Sequence, residues 1–301
     1  MKLAIIGGSG LLGSTTAFLA AQKGIFDEIK LLGRRKNLLT HHAMDMEHAL
    51  MPFSETKVTV ADYADIGDCD VILISASAPE REVASRDEYL KDNIKVVKEV
   101  MEGINLYNNH AIVITVTNPI DVFNFYLYKN LKRDRMKMLG FALNDSLRLR
   151  WALAKELNLK FNKLEAYCIG EHGEGQLPLT NYVKYEDNEL IISNELRDKI
   201  KKSLVEWFKE FQGLNAKRTS GWTSAVALTE MLEAIATDSG KIVECSVPLE
   251  GELGYRDVSL GMMVRLGKNG VIKIIQPDLT IDEKDELDST VNKIKKQIQS
   301  I

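Results

Sequence analysis

The chemistry of this chain begins at a run of small residues, Gly7-Gly8-Ser9-Gly10-Leu11-Leu12-Gly13, which follows an apolar strand and opens an apolar helix. Glycine lets the backbone come close to a ligand, and a helix N-terminus offers free N–H groups and positive dipole to an anion. A strand feeding such glycines into a helix is a grip for a pyrophosphate, whether the spacing is read as GxGxxG or GxxGxxG. The next strand ends in Leu32-Gly33-Arg34-Arg35. At that point a dinucleotide fold that takes NAD carries an acidic side chain, which accepts from the free 2′-hydroxyl. Here the carboxylate that would repel a 2′-phosphate is missing, and two guanidiniums stand ready to bind one. The turn predicts a dinucleotide-binding protein that prefers NADP(H) and can also take NAD.

Four more groups follow in order. Ser85-Arg86 opens a helix, Thr117-Asn118-Pro119 ends a strand, Asp145-Ser146-Leu147-Arg148 opens a helix, and Gly170-Glu171-His172-Gly173 ends a strand. Strand ends and helix starts are where an α/β fold gathers its ligand-binding groups. With the glycine turn, the SGWTSAVAL segment around Thr223 and the stretch VPLEGELGYRDVSLGMMVRLGKNGV, they resemble the lactate/malate dehydrogenase family over essentially the whole chain. The GGSGLLG turn followed by LLGRR is most similar to archaeal-type, NADP-tolerant malate dehydrogenases.

That resemblance implies hydride transfer between a nicotinamide and a small 2-oxo or 2-hydroxy acid, with oxaloacetate and L-malate the foremost pair. His172 is then the proton donor to the nascent alkoxide, since histidine titrates near neutrality, and Asp145 holds its other ring nitrogen. Arg148, three residues after Asp145 on the same helical face, forks around the substrate carboxylate. Arg86 polarises the carbonyl oxygen. Asn118 orients substrate and nicotinamide ribose, Val116 and Asn93 are cofactor contacts, and Thr223 lines the substrate pocket. The other four histidines, His41, His42, His48 and His110, carry no such setting.

The substrate loop departs from the family pattern. Six residues before Arg86, malate enzymes place an arginine for the distal carboxylate and lactate enzymes a glutamine; this chain has Glu80, with Arg81 next. A glutamate facing a second carboxylate would be repulsive in a closed site. Either Arg81 enters in its place, or the substrate is not a dicarboxylate. The loop continues Glu82-Val83-Ala84 without the usual central glycine, and the histidine turn continues Glu174-Gly175 rather than Asp-Ser.

The elements that must position these groups follow from hydrophobic patterning. Strands are expected at 3–6, 29–32, 57–60, 71–75, 112–116 and 138–140, alternating with helices at 11–23, 38–49, 87–106 and 122–131. That rhythm is a doubly wound parallel sheet, a Rossmann domain over residues 1–144. An α+β substrate domain over 145–301 should follow. It holds helices at 146–158, 195–212 and 223–237, a strand at 164–169, a run of short strands through 241–275 with an Asn269-Gly270 hairpin turn, and a closing helix at 281–298.

With 39 basic against 43 acidic side chains in 301 residues, nothing favours nucleic acid or an anionic membrane as partner. Cys69, Cys168 and Cys245 lie far apart, so buried free thiols in a reducing cytoplasm are expected, with neither a disulfide framework nor a metal site. The chain enters a core strand at once, leaving no room for a signal peptide, and its longest apolar runs are strand length. A homodimer or homotetramer built on helices 38–49 and 220–237 is expected.

Other readings compete with oxaloacetate reduction. A lactate-type or broader 2-oxo acid reductase suits Glu80 and Thr223. Family 4 glycosidases share the fold and use NAD with a metal, but Val116-Thr117-Asn118 lacks the cysteine such a site needs. A binding module that had lost catalysis would be expected to lose Asp145, Arg148 or His172, and all three are present.

Overall fold

The computed structural model describes residues 1–79, 86–214 and 220–301, and all side chains there except those of 86–89, 208 and 212. The first half alternates strand and helix: β1 (Lys2–Ile6), α1 (Leu11–Gln22), β2 (Glu28–Leu32), α2 (Lys36–Leu50), β3 (Lys57–Val60), β4 (Val71–Ile74), α3 (Arg86–Tyr107), β5 (Ile112–Thr115), α4 (Ile120–Leu131) and β6 (Met138–Phe141). The six strands lie parallel in the order β3-β2-β1-β4-β5-β6. Val71, Ile72, Leu73 and Ile74 are each 0 % exposed, because helices cover both faces of the sheet. Helix α1 packs close on the small residues Ala17, Ala20 and Ala21. From β1 the chain winds outward to β3 and then returns to β4 on the other side, so the loops after β1 and β4 diverge and open a crevice at the strands' C-terminal ends.

The second half holds α5 (Leu143–Leu157), the short strands β7 (Leu164–Glu165), β8 (Cys168–Gly170), β9 (Gln176–Pro178), β10 (Lys184–Tyr185) and β11 (Asn188–Glu189), then α6 (Asn194–Gly213) and α7 (Trp222–Ala236). Strands β12 (Ile242–Glu250), β13 (Arg256–Gly267) and β14 (Gly270–Ile275) and helix α8 (Ile281–Ile298) complete it. Thr280 caps α8 in a capping box with Glu283, so the polar signal marks the same start that periodicity does. The β13–β14 hairpin turns at Gly267 and Gly270, around the NG pair.

Three expectations change. The run through 241–275 is not short strands: β12 has nine residues and β13 twelve, and they are buried on both faces, which hides the alternation that would reveal their length. The single strand at 164–169 is split into β7 and β8, which pair in different sheets. Strand β12 lies antiparallel beside β6, so the large sheet runs on from the Rossmann strands. Helix α5 begins at Leu143 rather than Ser146, which puts Asp145 in its first turn. Among the described residues no helix is long and apolar enough to cross a membrane. All three cysteines are buried free thiols.

Candidate active site

The glycine turn is wound as tightly as its composition suggests. Gly7 has φ +103°, and a Cβ there would lie 2.6 Å from the Ala76 backbone nitrogen at the end of β4. A Cβ on Gly13 would lie 2.5 Å from the Gly7 carbonyl oxygen, so α1 starts against the turn itself. The N–H groups of Gly7 and Gly8 both donate to the Leu32 carbonyl, at 2.9 and 3.0 Å, and this binds the turn to the strand that ends in Gly33. Gly10 caps α1 without a side-chain acceptor. First-turn N–H groups are therefore left for an anion, and the turn fits a dinucleotide pyrophosphate.

Beside it, Gly33 has room: a Cβ would sit 3.5 Å from Ser9 Oγ. Arg35 is exposed and donates to the Ser9 carbonyl at 3.3 Å, which brings its guanidinium to the turn. Arg34 pairs instead with Glu99 of α3 at 2.7 Å, with both side chains in solvent. From the far side, Gly221 packs on Leu11, where a Cβ would meet Leu11 Cδ2 at 2.7 Å, so the start of α7 lies against this end of the crevice.

Residues distant in sequence meet at the mouth of the parallel sheet. His172 follows β8, and its Nδ1 lies 2.8 Å from Asp145 Oδ2. Asp145 is 0 % exposed, and its other oxygen accepts from Arg148 Nη1 at 3.2 Å. One carboxylate thus orients an imidazole and a guanidinium together, one helical turn apart. With Asp145 accepting from Nδ1–H, the ring nitrogen free for chemistry is Nε2. Burial opposes the imidazolium, but the charge and hydrogen bond of Asp145, with Asp121 adding to them, outweigh it and raise His172 above its ordinary value. The result is an imidazole that keeps its proton further into neutral solution.

The histidine turn is anchored on two helices and on itself. Its His172 N–H donates to Asp121 Oδ2 at 2.9 Å, from α4. Glu171 accepts from Lys293 Nζ of α8 at 3.0 Å and from Gly175 N–H at 3.1 Å, closing the turn on itself. Burial pushes the Asp121 carboxyl up to about 6, held back by the hydrogen bond from the His172 N–H and by the charge of that histidine. Sequence reasoning passed over Asp121; its signal was an acid in the first turn of the otherwise apolar helix IDVFNFYLY.

The remaining expected residues fall in different places. Asn93 is 4 % exposed, and its amide is engaged at both ends, accepting from Ala78 N–H at 2.7 Å and donating to the Asn118 carbonyl at 2.9 Å. It ties the loop after β4 to the loop after β5, so its contacts here are with backbone. Val116 is buried at the end of β5, and Asn118 is exposed at the crevice. Thr223 is exposed in the first turn of α7; the inward hydroxyl there belongs to Ser224, which accepts from Asn144 Nδ2 at 3.1 Å, next to Asp145. Glu80, Arg81 and the side chain of Arg86 lie outside the described residues, while Arg86 opens α3.

Comparison with known proteins agrees over the full length. Residues 1–140 match the lactate/malate dehydrogenase NAD-binding domain, and residues 143–301 match the alpha/beta C-terminal domain of the same enzymes. The chain belongs to the lactate/malate dehydrogenase family. It is therefore a Rossmann-fold oxidoreductase of the 2-hydroxy acid dehydrogenase class, with an NAD-binding domain over residues 1–140. Among relatives in this family, a malate dehydrogenase of Bacillus cereus is 33 % identical, covering 98 % of this chain and 96 % of its own length. One from Halobacterium salinarum is 30 % identical, over 100 % and 99 %. In three dimensions, the Cryptosporidium parvum lactate dehydrogenase complexed with lactic acid and nicotinamide adenine dinucleotide superposes with a TM-score of 0.92 at 31 % identity, covering 100 % of this chain and 98 % of that one. The Aeropyrum pernix malate dehydrogenase gives 0.91 at 26 % identity, over 100 % and 98 %.

Proposed function

We propose that this member of the family interconverts oxaloacetate and L-malate, using NADP(H) in preference to NAD(H). The observation that carries the reading is the buried Asp145 carboxylate holding His172 and Arg148 together at the crevice. Residues 1–144 bind the dinucleotide on the turn Gly7–Gly13, with Val116, Asn118 and the Asn93-braced loops alongside. When bound, the cofactor supplies a hydride to the C2 carbonyl carbon. Residues 145–301 supply the acid chemistry. Arg148 presents a planar donor fork to the C1 carboxylate. His172 Nε2 gives a proton to the carbonyl oxygen as that atom becomes an alcohol, and Asp145 stabilises the charged ring before transfer. Arg86 polarises the same oxygen, and Thr223, at the exposed start of α7, lines the pocket with it. In the reverse direction a neutral His172 takes the proton back.

The experiment that tests this is oxidation of NADPH and of NADH by the purified protein, with oxaloacetate and pyruvate side by side. Preference for oxaloacetate with NADPH is expected. A preference for pyruvate would favour the lactate-type reading, which the likeness to the Cryptosporidium parvum lactate dehydrogenase and the acidic Glu80 keep in contention. Arg81 is assigned to the distal carboxylate. Arg81→Gln should cost oxaloacetate reduction on the order of 10²-fold in kcat/KM and pyruvate reduction far less, as expected when a buried charge pair loses one partner. Equal losses on both substrates would assign the residue to the loop rather than the substrate.

NADP preference rests on Gly33 and on Arg35, which reaches the turn at Ser9. Gly33→Asp should shift the NADPH:NADH ratio of kcat/KM toward NADH by roughly one to two orders of magnitude, since like charges in contact near a surface repel by about 1–4 kcal/mol. An unchanged ratio would clear both arginines of a 2′-phosphate role. Assembly as a homodimer or homotetramer through α2 and α7 is supported by Met44, Trp222 and Val226, which are exposed on those helices. The three buried thiols suit a reducing cytoplasm.

A further inference from the structure

Strand β12 carries an acid whose neighbours along the chain are apolar or small. Glu244 stands between Val243 and Cys245 and is 1 % exposed. Its Oε2 accepts from Ser146 Oγ at 2.5 Å, and the same hydroxyl oxygen accepts from the Cys168 N–H at 2.9 Å. Ser146 directly follows Asp145, and Cys168 opens β8, four residues before His172. Glu244 therefore sits behind the joint between the helical turn that carries Asp145 and the strand that leads to His172.

The opposite side of the carboxyl is shaped to receive it. Glu244 pairs across the sheet with Met263 of β13, and a Cβ on nearby Gly261 would lie 3.2 Å from Glu244 Oε1 and 2.7 Å from the Gly170 carbonyl oxygen. Only a glycine at 261 leaves the space that this carboxyl and the Gly170 backbone share.

The charged and titratable groups around Glu244 are Asp145, Arg148 and Arg150 on α5, Asp121 on α4, and Cys168 on β8, with Cys245 on its own strand and His172 beyond Asp145. Arg148 is taken by Asp145, and Arg150 donates to the Ala166 carbonyl. Among the described residues no cation pairs with Glu244. Burial first, and then the nearby Asp145 and Asp121 charges, push its carboxyl well above the carboxylate range, against a weaker pull from Ser146.

We propose that Glu244 is a positioning residue for the Asp145–His172 pair, an uncharged carboxylic acid that locks the first turn of α5 to β8 through Ser146 without placing a second negative charge behind Asp145. The inference deepens the reading of His172 as the proton donor and rests on it. A charged Glu244 would hold the imidazolium too tightly to release its proton; a neutral one gives the geometry alone.

The test is an NMR titration of the His172 ring in the full-length protein and in Glu244→Gln, Glu244→Ala and Ser146→Ala, together with kcat and KM. The amide of Glu244→Gln keeps the shape and carries no charge, so its His172 titration should match the wild type. Glu244→Ala and Ser146→Ala break the link and should lower that titration by about one pH unit, with kcat falling and KM little changed. A downward shift in Glu244→Gln equal to that in Glu244→Ala would mean that the native carboxyl is charged, and would overturn the proposal. Wild-type titration in all three variants would overturn it too, by showing that Glu244 positions nothing. Infrared spectra provide a second readout at about pH 8, where a protonated-carboxyl band should be present in the wild type and lost in Glu244→Gln. Its absence from the wild type counts against the proposal. Neither spectroscopic readout needs turnover, so failure to reduce any 2-oxo acid would sink the proposed function while leaving these results to be judged separately.

Discussion

Replacing His172 with asparagine should cut reductive turnover by about 10²–10⁴-fold, the usual contribution of a positioned general acid. Asparagine can still donate to Asp145 Oδ2, and the backbone N–H at 172 keeps its bond to Asp121, so the turn should stay in place. Among the described residues no hydrogen bond or ion pair joins that turn to residues 7–13, and dinucleotide binding, read by quenching of intrinsic fluorescence or by calorimetry, should be unchanged. The pH dependence follows from the direction of the His172 shift. Its burial alone would favour the neutral ring, yet Asp145 and Asp121 prevail and raise it. The protonated form needed for reduction should therefore persist through neutrality and be lost as pH rises past that raised value. The form needed for oxidation should gain over the same interval. Near-normal turnover in the variant, or a flat pH profile in the wild type, would remove His172 from the donor role.

Asp145→Asn should be as damaging, by on the order of 10³–10⁴-fold in kcat, for reasons that reach two partners at once. The carboxylate accepts from the imidazole at 2.8 Å and from Arg148 at 3.2 Å, with no exposure to solvent. An amide there keeps the size but loses the charge that stabilises the imidazolium. Its NH₂ can also meet the ring in the wrong sense and turn Nε2 from acceptor to donor. Arg148 would lose its ion pair while still resting over the Trp207 ring, 5.2 Å from its centroid. The expected signature is a large fall in kcat, a rise in KM for the 2-oxo acid, and an alkaline limit moved to lower pH. A change confined to KM would mean that Asp145 serves Arg148 alone.

Much of the site was legible because its constraints are local. The glycine turn follows from backbone sterics: a side chain at Gly7 or Gly13 would strike atoms within a few residues or on the adjacent strand. Helix α8 was legible to its last residue because its stripe and its Thr280–Glu283 box lie within one segment. The pairing of His172 with Asp145 was readable only through family resemblance, since 27 residues separate them. Thr223 and Ser224 are adjacent hydroxyls in the first turn of α7, and only packing shows that Ser224 turns inward to Asn144 while Thr223 stays exposed.

By itself, the sequence determined the alternation of strands and helices, the tight glycine turn, and the presence of an imidazole, a carboxylate and a guanidinium of the types that acid catalysis on a 2-oxo acid needs. Tertiary structure alone decided what surrounds them: Asp121 beneath the histidine backbone, Lys293 on Glu171, and Glu244 against Ser146. It also decided that Arg34 spends its charge on Glu99 while Arg35 reaches the turn. Periodicity reports which face of an element is buried, but not which distant element buries it. Charge and proton affinity in a closed site depend on that second fact, because a buried carboxyl takes its state from the groups packed against it.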